Sequence, residues 1–268
     1  MAEISAKLVK ELRDQTGAGM MDCKRALQET NGDLEAARRV LREQGMATAA
    51  KRAGRATTEG KVIDRVAEDG SKGTLVAVGA ETEPVSNNEE FLAFARKVLE
   101  AVDAEGPGAE AELETERAEL AGRLGENVVV AGTARFEAVN GGLVASYVHP
   151  PANKIGVLVG VRGGDTELAR KVAMHIAASP STQWIGREDV PEDTIAAERD
   201  LYASSVEVQS KPEQAREKIV AGMLSKRFFG TSVLEEQEWV HDGSKKVGDV
   251  LREEGAEVLE FERFALAG

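Results

Sequence analysis

The chain has 268 residues, of which 42% are hydrophobic and 30% charged but only 4% aromatic, as in a globular protein whose cores rely on Val, Leu, Ile and Ala. A formal net charge of −13 argues against broad nucleic-acid binding, which needs a basic surface to meet phosphates. The single cysteine, Cys23, rules out an internal disulfide and a multi-thiolate metal site, and no apolar run approaches the ~20 residues that span a bilayer. The opening MAEISAKLVKELRD carries charges where a signal peptide needs its apolar stretch, so a cytoplasmic protein is expected.

Charge is uneven along the chain. Residues 1–55 hold 11 Lys/Arg against 8 Asp/Glu and the rest holds 23 against 39, so a slightly basic head precedes an acidic body. Within the head, residues 4–45 predict three short helices. Ile4, Leu8 and Leu12 lie four apart on the first, which ends at Thr16-Gly17-Ala18-Gly19. The second runs from Met20 with Cys23 and Leu27 on one face and stops at Asn31-Gly32; Cys23 is expected to be a small, semi-buried residue. The third opens at Asp33, a good N-cap, and carries Leu34, Ala37 and Leu41 before Gly45. So small a bundle has no room for a deep pocket and suits docking. Ala-rich Met46–Arg55 reads as a helical linker.

From Thr57 the pattern changes to strands. Lys61–Val66 and Gly73–Val78 are β-rich and flank Glu68-Asp69-Gly70, which predicts a hairpin. A loop, Glu81–Asn88, leads to a helix with Phe91, Phe94, Ala95 and Val98 on its apolar face. After a charged helix at Ala109–Leu124 the order returns: β-rich Gly142–His149 and Lys154–Val161, a Gly163-Gly164-Asp165 turn, then a helix over Leu168–Ala178. The return reads as an internal repeat of hairpin plus helix, in order and pattern more than in identity. In residues 191–229, Pro191 and Pro212 are expected in the first turns of two charged helices, forming an antiparallel hairpin that projects from the body. A short helix over Ser244–Glu254 and a β-rich tail, Val258–Leu266, close the chain. The expected class is α+β, divided as 1–55, 56–140 and 141–268.

The usual catalytic patterns do not occur. There is no G-x-x-x-x-G-K-S/T phosphate loop, no G-x-S-x-G and no H-E-x-x-H, and His149, His175 and His241 fall on separate predicted elements. Paired carboxylates such as Glu89-Glu90 and Glu235-Glu236 read as solvated charges. No cofactor, metal or small-molecule substrate is expected, and the expected activity is recognition of another protein.

Several stretches carry a resemblance. Leu12-Arg13-Asp14-Gln15-Thr16-Gly17-Ala18-Gly19-Met20-Met21-Asp22-Cys23-Lys24 is similar to the opening signature of the bacterial elongation factor Ts family. Glu81-Thr82 with Val85 and Phe91, Gly125-Glu126-Asn127, Ser146-Tyr147-Val148-His149, Ile155-Gly156-Val157-Leu158-Val159, Met174–Ser179 and Phe261-Glu262-Arg263-Phe264 match further in the family's order. The resemblance implies a guanine-nucleotide exchange factor for the GTPase elongation factor Tu, with a small three-helix, ubiquitin-associated-like bundle before a duplicated core. It also implies that the loop of family pattern Thr-Asp-Phe-Val, here Thr82-Glu83-Pro84-Val85, enters the partner beside its nucleotide and disturbs Mg²⁺. Gly19, Met20, Met21 and Lys24 would make a second contact. Pro84 in place of the aromatic ring leaves two readings open: displacement by the loop backbone, or a partner pocket changed to match. A non-catalytic adaptor or scaffold is the alternative function.

Overall fold

The computed structural model describes residues 4–266. Three helices, α1 (Ala6–Thr16), α2 (Met20–Glu29) and α3 (Leu34–Arg52), precede two units of similar design. The first unit contains β1 (Glu59–Val66), β2 (Lys72–Ala80), α4 (Glu83–Ser86), α5 (Glu89–Glu105), α6 (Glu114–Leu124) and β3 (Val128–Glu137). The second contains β4 (Leu143–Val148), β5 (Ile155–Arg162), α7 (Thr166–Ala178), α8 (Glu192–Ser204), α9 (Val206–Gln209), α10 (Glu213–Met223), α11 (Gly230–Ser232), α12 (Val247–Glu253) and β6 (Glu257–Ala265). The class is α+β, as expected.

The bundle forms as its sequence directs. Ser5 accepts from the Leu8 N–H to cap α1, Asp33 accepts from the Ala36 N–H to cap α3, and Gly17 ends α1 in the left-handed conformation. Val9, Leu12, Cys23, Ala26, Leu27 and Ala37 make the core, with Cys23 fully buried instead of semi-buried. One expectation fails: α3 does not stop at Gly45 but runs on to Arg52. The reason is tertiary. Gly45 lies against Gly122 of α6, so closely that a Cβ on Gly122 would come within 2.8 Å of the Gly45 Cα. Two glycines let the helix backbones touch, Arg42 pairs with Glu119 beside the crossing, and Ala49 sinks into the core of the first unit.

Each unit is a three-stranded antiparallel sheet, ordered β1-β2-β3 and β4-β5-β6. The predicted hairpins form, and the tail joins its sheet as β6; β3 was not foreseen, so the repeat is a hairpin and helix closed by a third strand. Correspondence between the units is close. Phe136 pairs with Gly73 as Phe264 pairs with Gly156, and the register shifts between Ala77 and Val78 as it does between Gly160 and Val161.

The two sheets pack face to face through Val62, Leu75, Ala77 and Ala134 against Val144, Leu158 and Leu266. Outside the first lie α5 and α6, on Val76, Val78, Phe91, Phe94 and Val98; outside the second lies α7, on Val157, Val159, Val172 and Ile176. Contacts between the sheets are reciprocal, as a local two-fold demands. The Val144 N–H donates to the Gly70 carbonyl at 2.8 Å, and the Val62 N–H to the Asn153 carbonyl at 2.7 Å. Gly70 and Asn153 are both left-handed, at φ 69° and 55°. Between the paired positions the Ser146 hydroxyl meets the Asp64 carboxylate.

In the second unit α8 and α10 pack around Val208, Val220, Met223, Leu224 and Phe229 as the expected helical hairpin. Pro191 and Pro212 stand at the N-cap positions, one residue before the first turns where they were expected. Leu201 and Val206 remain exposed.

Candidate functional site

The stretch read as a loop, Glu81–Asn88, contains one turn of helix. Thr82 is the N-cap of α4 and Pro84 lies in its first turn, where the missing N–H leaves no bond unmade. The turn is closed by the Ser86 N–H to the Thr82 carbonyl at 3.1 Å and the Asn87 N–H to the Glu83 carbonyl at 3.1 Å. Ser86 is buried and Val85 half-buried, packed on the core under α5. Asn88 then caps α5 by accepting from the Glu90 N–H at 2.8 Å. Of the four expected residues, Glu83 and Pro84 are exposed and free to meet a partner. Val85 instead faces the core, and Thr82, though exposed, is tied down.

The ties come from the two residues just before β3. The Glu126 carboxylate accepts the Thr82 N–H at 3.0 Å and the Thr82 hydroxyl at 2.5 Å. Glu81 accepts the Asn127 N–H at 2.7 Å and lies 3.4 Å from Arg55. The buried Asn127 amide donates to the carbonyls of Arg55 at 2.8 Å and Ala53 at 3.4 Å. Glu81, Glu126 and Asn127 appear in the family-like motifs, but nothing in the sequence assigned them a task.

On the bundle, Gly19, Met20, Met21 and Lys24 are all exposed, with Met20 at 58% and Met21 at 70%, while Cys23 points inward. Large apolar side chains this open on a small bundle are suited to contact. The two sets lie on different elements, and Arg123 of α6 bridges the neighbourhood of each, from the end of α1 to the start of α5. A Cβ on Gly17 would lie 3.3 Å from the Arg123 Cδ, and the Arg123 Nε donates to Glu90 of α5 at 2.9 Å.

Other polar groups serve packing. His175 is buried, with Nε2 2.7 Å from the Gln237 Oε1 and Nδ1 accepting the Val240 N–H at 3.2 Å. Burial lowers its pKa against the opposing pull of the Gln237 bond, which keeps the ring neutral as the Val240 contact requires. Trp239 separates His175 from His241, at centroid distances of 5.3 and 4.8 Å, so two of the three histidines meet around one indole. Among the described residues no three His, Cys, Asp or Glu side chains gather as a metal site. An open cleft of about 420 Å³ beside Trp184, Glu260, Glu262 and Arg263 shares no residue with either candidate set. No helix among the described residues is long and apolar enough to cross a membrane.

Comparison with known proteins defines the class as a translation elongation factor. The profile of the family described as Elongation factor TS matches residues 81–268, beginning at the residue that precedes Thr82. The chain is 42% identical to Elongation factor Ts of Halorhodospira halophila (strain DSM 244 / SL1), over 97% of this chain and 91% of that protein. It is 43% identical to Elongation factor Ts of Teredinibacter turnerae (strain ATCC 39867 / T7901), over 97% and 90% of the two chains. For Elongation factor Ts of Pasteurella multocida (strain Pm70) the figures are 42%, 98% and 92%. The chain belongs to the elongation factor Ts family.

Proposed function

We propose that this protein binds elongation factor Tu in its GDP form and promotes exchange of GDP for GTP by displacing Mg²⁺ and loosening the nucleotide site. The observation that carries the reading is the exposed Glu83-Pro84 pair on a helical turn anchored at both ends. A GTPase holds GDP through phosphate contacts and Mg²⁺, so a factor that binds the nucleotide-free form better shifts the equilibrium with no covalent step. Pro84 buries less apolar area than an aromatic wedge, but its fixed φ and the anchored turn resist being pushed back. Thr82 and Val85 hold the turn, and Gly19, Met20, Met21 and Lys24 supply a second contact, with flexible methionines on the partner's surface. The work is done in the cytoplasm by protein contact alone, with no cofactor, membrane, nucleic acid or small-molecule substrate.

The adaptor alternative needs a bundle that acts apart from a passive core. The Gly45–Gly122 crossing and the Arg42–Glu119 pair instead hold the bundle onto the core. The test is release of a fluorescent GDP analogue from elongation factor Tu of the same organism. Release is expected to accelerate with added factor; none at micromolar concentrations would sink the proposal.

A further inference from the structure

We infer that Glu126 is a positioning residue for exchange, fixing the angle at which the Glu83-Pro84 turn is presented. The inference rests on the reading of that turn as the contact element.

One turn of helix cannot hold itself together, because nucleation fixes several residues for a single hydrogen bond. Its direction must come from outside. The C-terminal end of α4 is fixed by Val85 and Ser86 in the core. The N-terminal end has no such packing, since Thr82, Glu83 and Pro84 are exposed. A threonine at an N-cap ordinarily turns its hydroxyl onto its own helix, which contributes about 1 kcal/mol. Thr82 makes no such bond. Both its N–H and its hydroxyl reach the Glu126 carboxylate instead, 44 residues away. Two charge-assisted bonds to one residue fix direction as well as distance. Asn127, the next residue, ties the same node to the carbonyls of the segment leading out of α3. Glu126 therefore sits where the turn, β3 and the end of the bundle's last helix converge. A tie of this kind acts on the rate at which a bound partner is opened more than on how tightly it is held, because misplacing a contact element by a fraction of an ångström weakens the step that element drives.

The experiment uses full-length factor and its GTPase, following fluorescent GDP release over a range of factor concentrations to separate maximal rate from half-saturating concentration. Glu126→Ala is expected to lower the maximal rate about tenfold with the half-saturating concentration nearly unchanged. Glu126→Gln should keep most of the rate, since its carbonyl can accept the Thr82 N–H and its amide can donate to the Thr82 hydroxyl. Thr82→Val should lose part of the rate, and adding it to Glu126→Ala should cost nothing more, because both act through one tie. A wild-type maximal rate for Glu126→Ala, a Gln variant as poor as Ala, or additive losses in the double variant would each overturn the inference. A control separates this from the reading beneath it. If Glu83→Ala with Pro84→Ala is inert while Glu126→Ala is fully active, only the positioning role fails. If the double variant in the turn exchanges as wild type, the turn is not the contact element and both fall.

Discussion

The two halves of the core share a frame and, the helical hairpin of the second half aside, part company where the second strand passes into the helix. In the second half three residues suffice: Gly163 and Gly164, both left-handed, and Asp165, which caps α7 by accepting from the Leu168 N–H. In the first half eight residues, 81–88, cover the same step and fold into a helical turn. The frame thus does not require the longer connection. What holds it is a set of polar ties from Glu81, Glu126 and Asn127, whereas the side-chain bond described for the 163–165 turn is the Asp165 cap on its own helix. A duplicated framework supplies rigidity, and the longer connection of the first half is the departure on which the proposed exchange function rests.

The largest expected effect comes from erasing that departure. Replacing residues 81–88 by Gly-Gly-Asp should drop GDP release to the intrinsic rate of the GTPase. Loss of the half-buried Val85 should cost about 1 kcal/mol, so circular dichroism should still show one cooperative melt at a modestly lower temperature. A folded chimera that still exchanges would break the comparison.

Much of the shared frame is legible in the letters. Gly73, Leu75, Val76 and Val78 recur as Gly156, Leu158, Val159 and Val161, and Ala95-Arg96-Lys97-Val98 recurs as Ala169-Arg170-Lys171-Val172. The repeat is therefore visible in identity as well as in order, more strongly than its pattern alone suggests. What escaped lies mainly at glycines whose reason is a distant neighbour. Gly45 looks like a helix stop, but it clears space for Gly122. Gly132 and the small residues beside it dilute the strand signal of β3, yet a Cβ there would lie 2.8 Å from the Phe264 Cδ1. The helical turn of α4 was illegible for the same reason, since four residues with a proline form a helix only when something remote fixes them. Exposure of Met20 and Met21 follows from the period of α2, whereas the bonds of Glu126 to Thr82, on which its proposed role rests, join residues that no local pattern brings together.

A smaller effect tests whether the two halves are equivalent in energy as well as in shape. A Cβ on Gly73 would lie 2.6 Å from the Val144 Cγ1 and 2.9 Å from the Leu158 Cδ1. One on Gly156 would overlap Val62 and lie 3.1 Å from the Leu75 Cδ1, which are the corresponding residues of the other half. Overpacking of this kind costs roughly 1–3 kcal/mol. Gly73→Ala and Gly156→Ala should therefore lower stability by similar amounts in urea titrations. A severe loss at one with none at the other would limit the symmetry to the backbone.

The smallest effect separates frame from turn. Asn88 caps α5 by accepting from the N–H two residues on and Asp165 caps α7 by accepting from the N–H three residues on, so Asn88→Ala and Asp165→Ala should each cost about 1 kcal/mol and lower the melting temperature by a few degrees. Asp165 should cost slightly more, because its charge also meets the positive end of the helix. Their consequences for exchange should differ. The Asn88 N–H donates to the Val85 carbonyl at 3.0 Å, a backbone bond the substitution keeps, so Asn88→Ala acts on the helical turn only by loosening the start of α5 to which the turn is joined, whereas Asp165 lies in the other half, away from that turn. Asn88→Ala should slow GDP release by about two- to threefold and Asp165→Ala should leave it at the wild-type rate, both read at a temperature well below melting. Equal slowing in both would mean that a loosened cap acts through overall stability, and the division between a shared frame and an added turn would not describe how the molecule works.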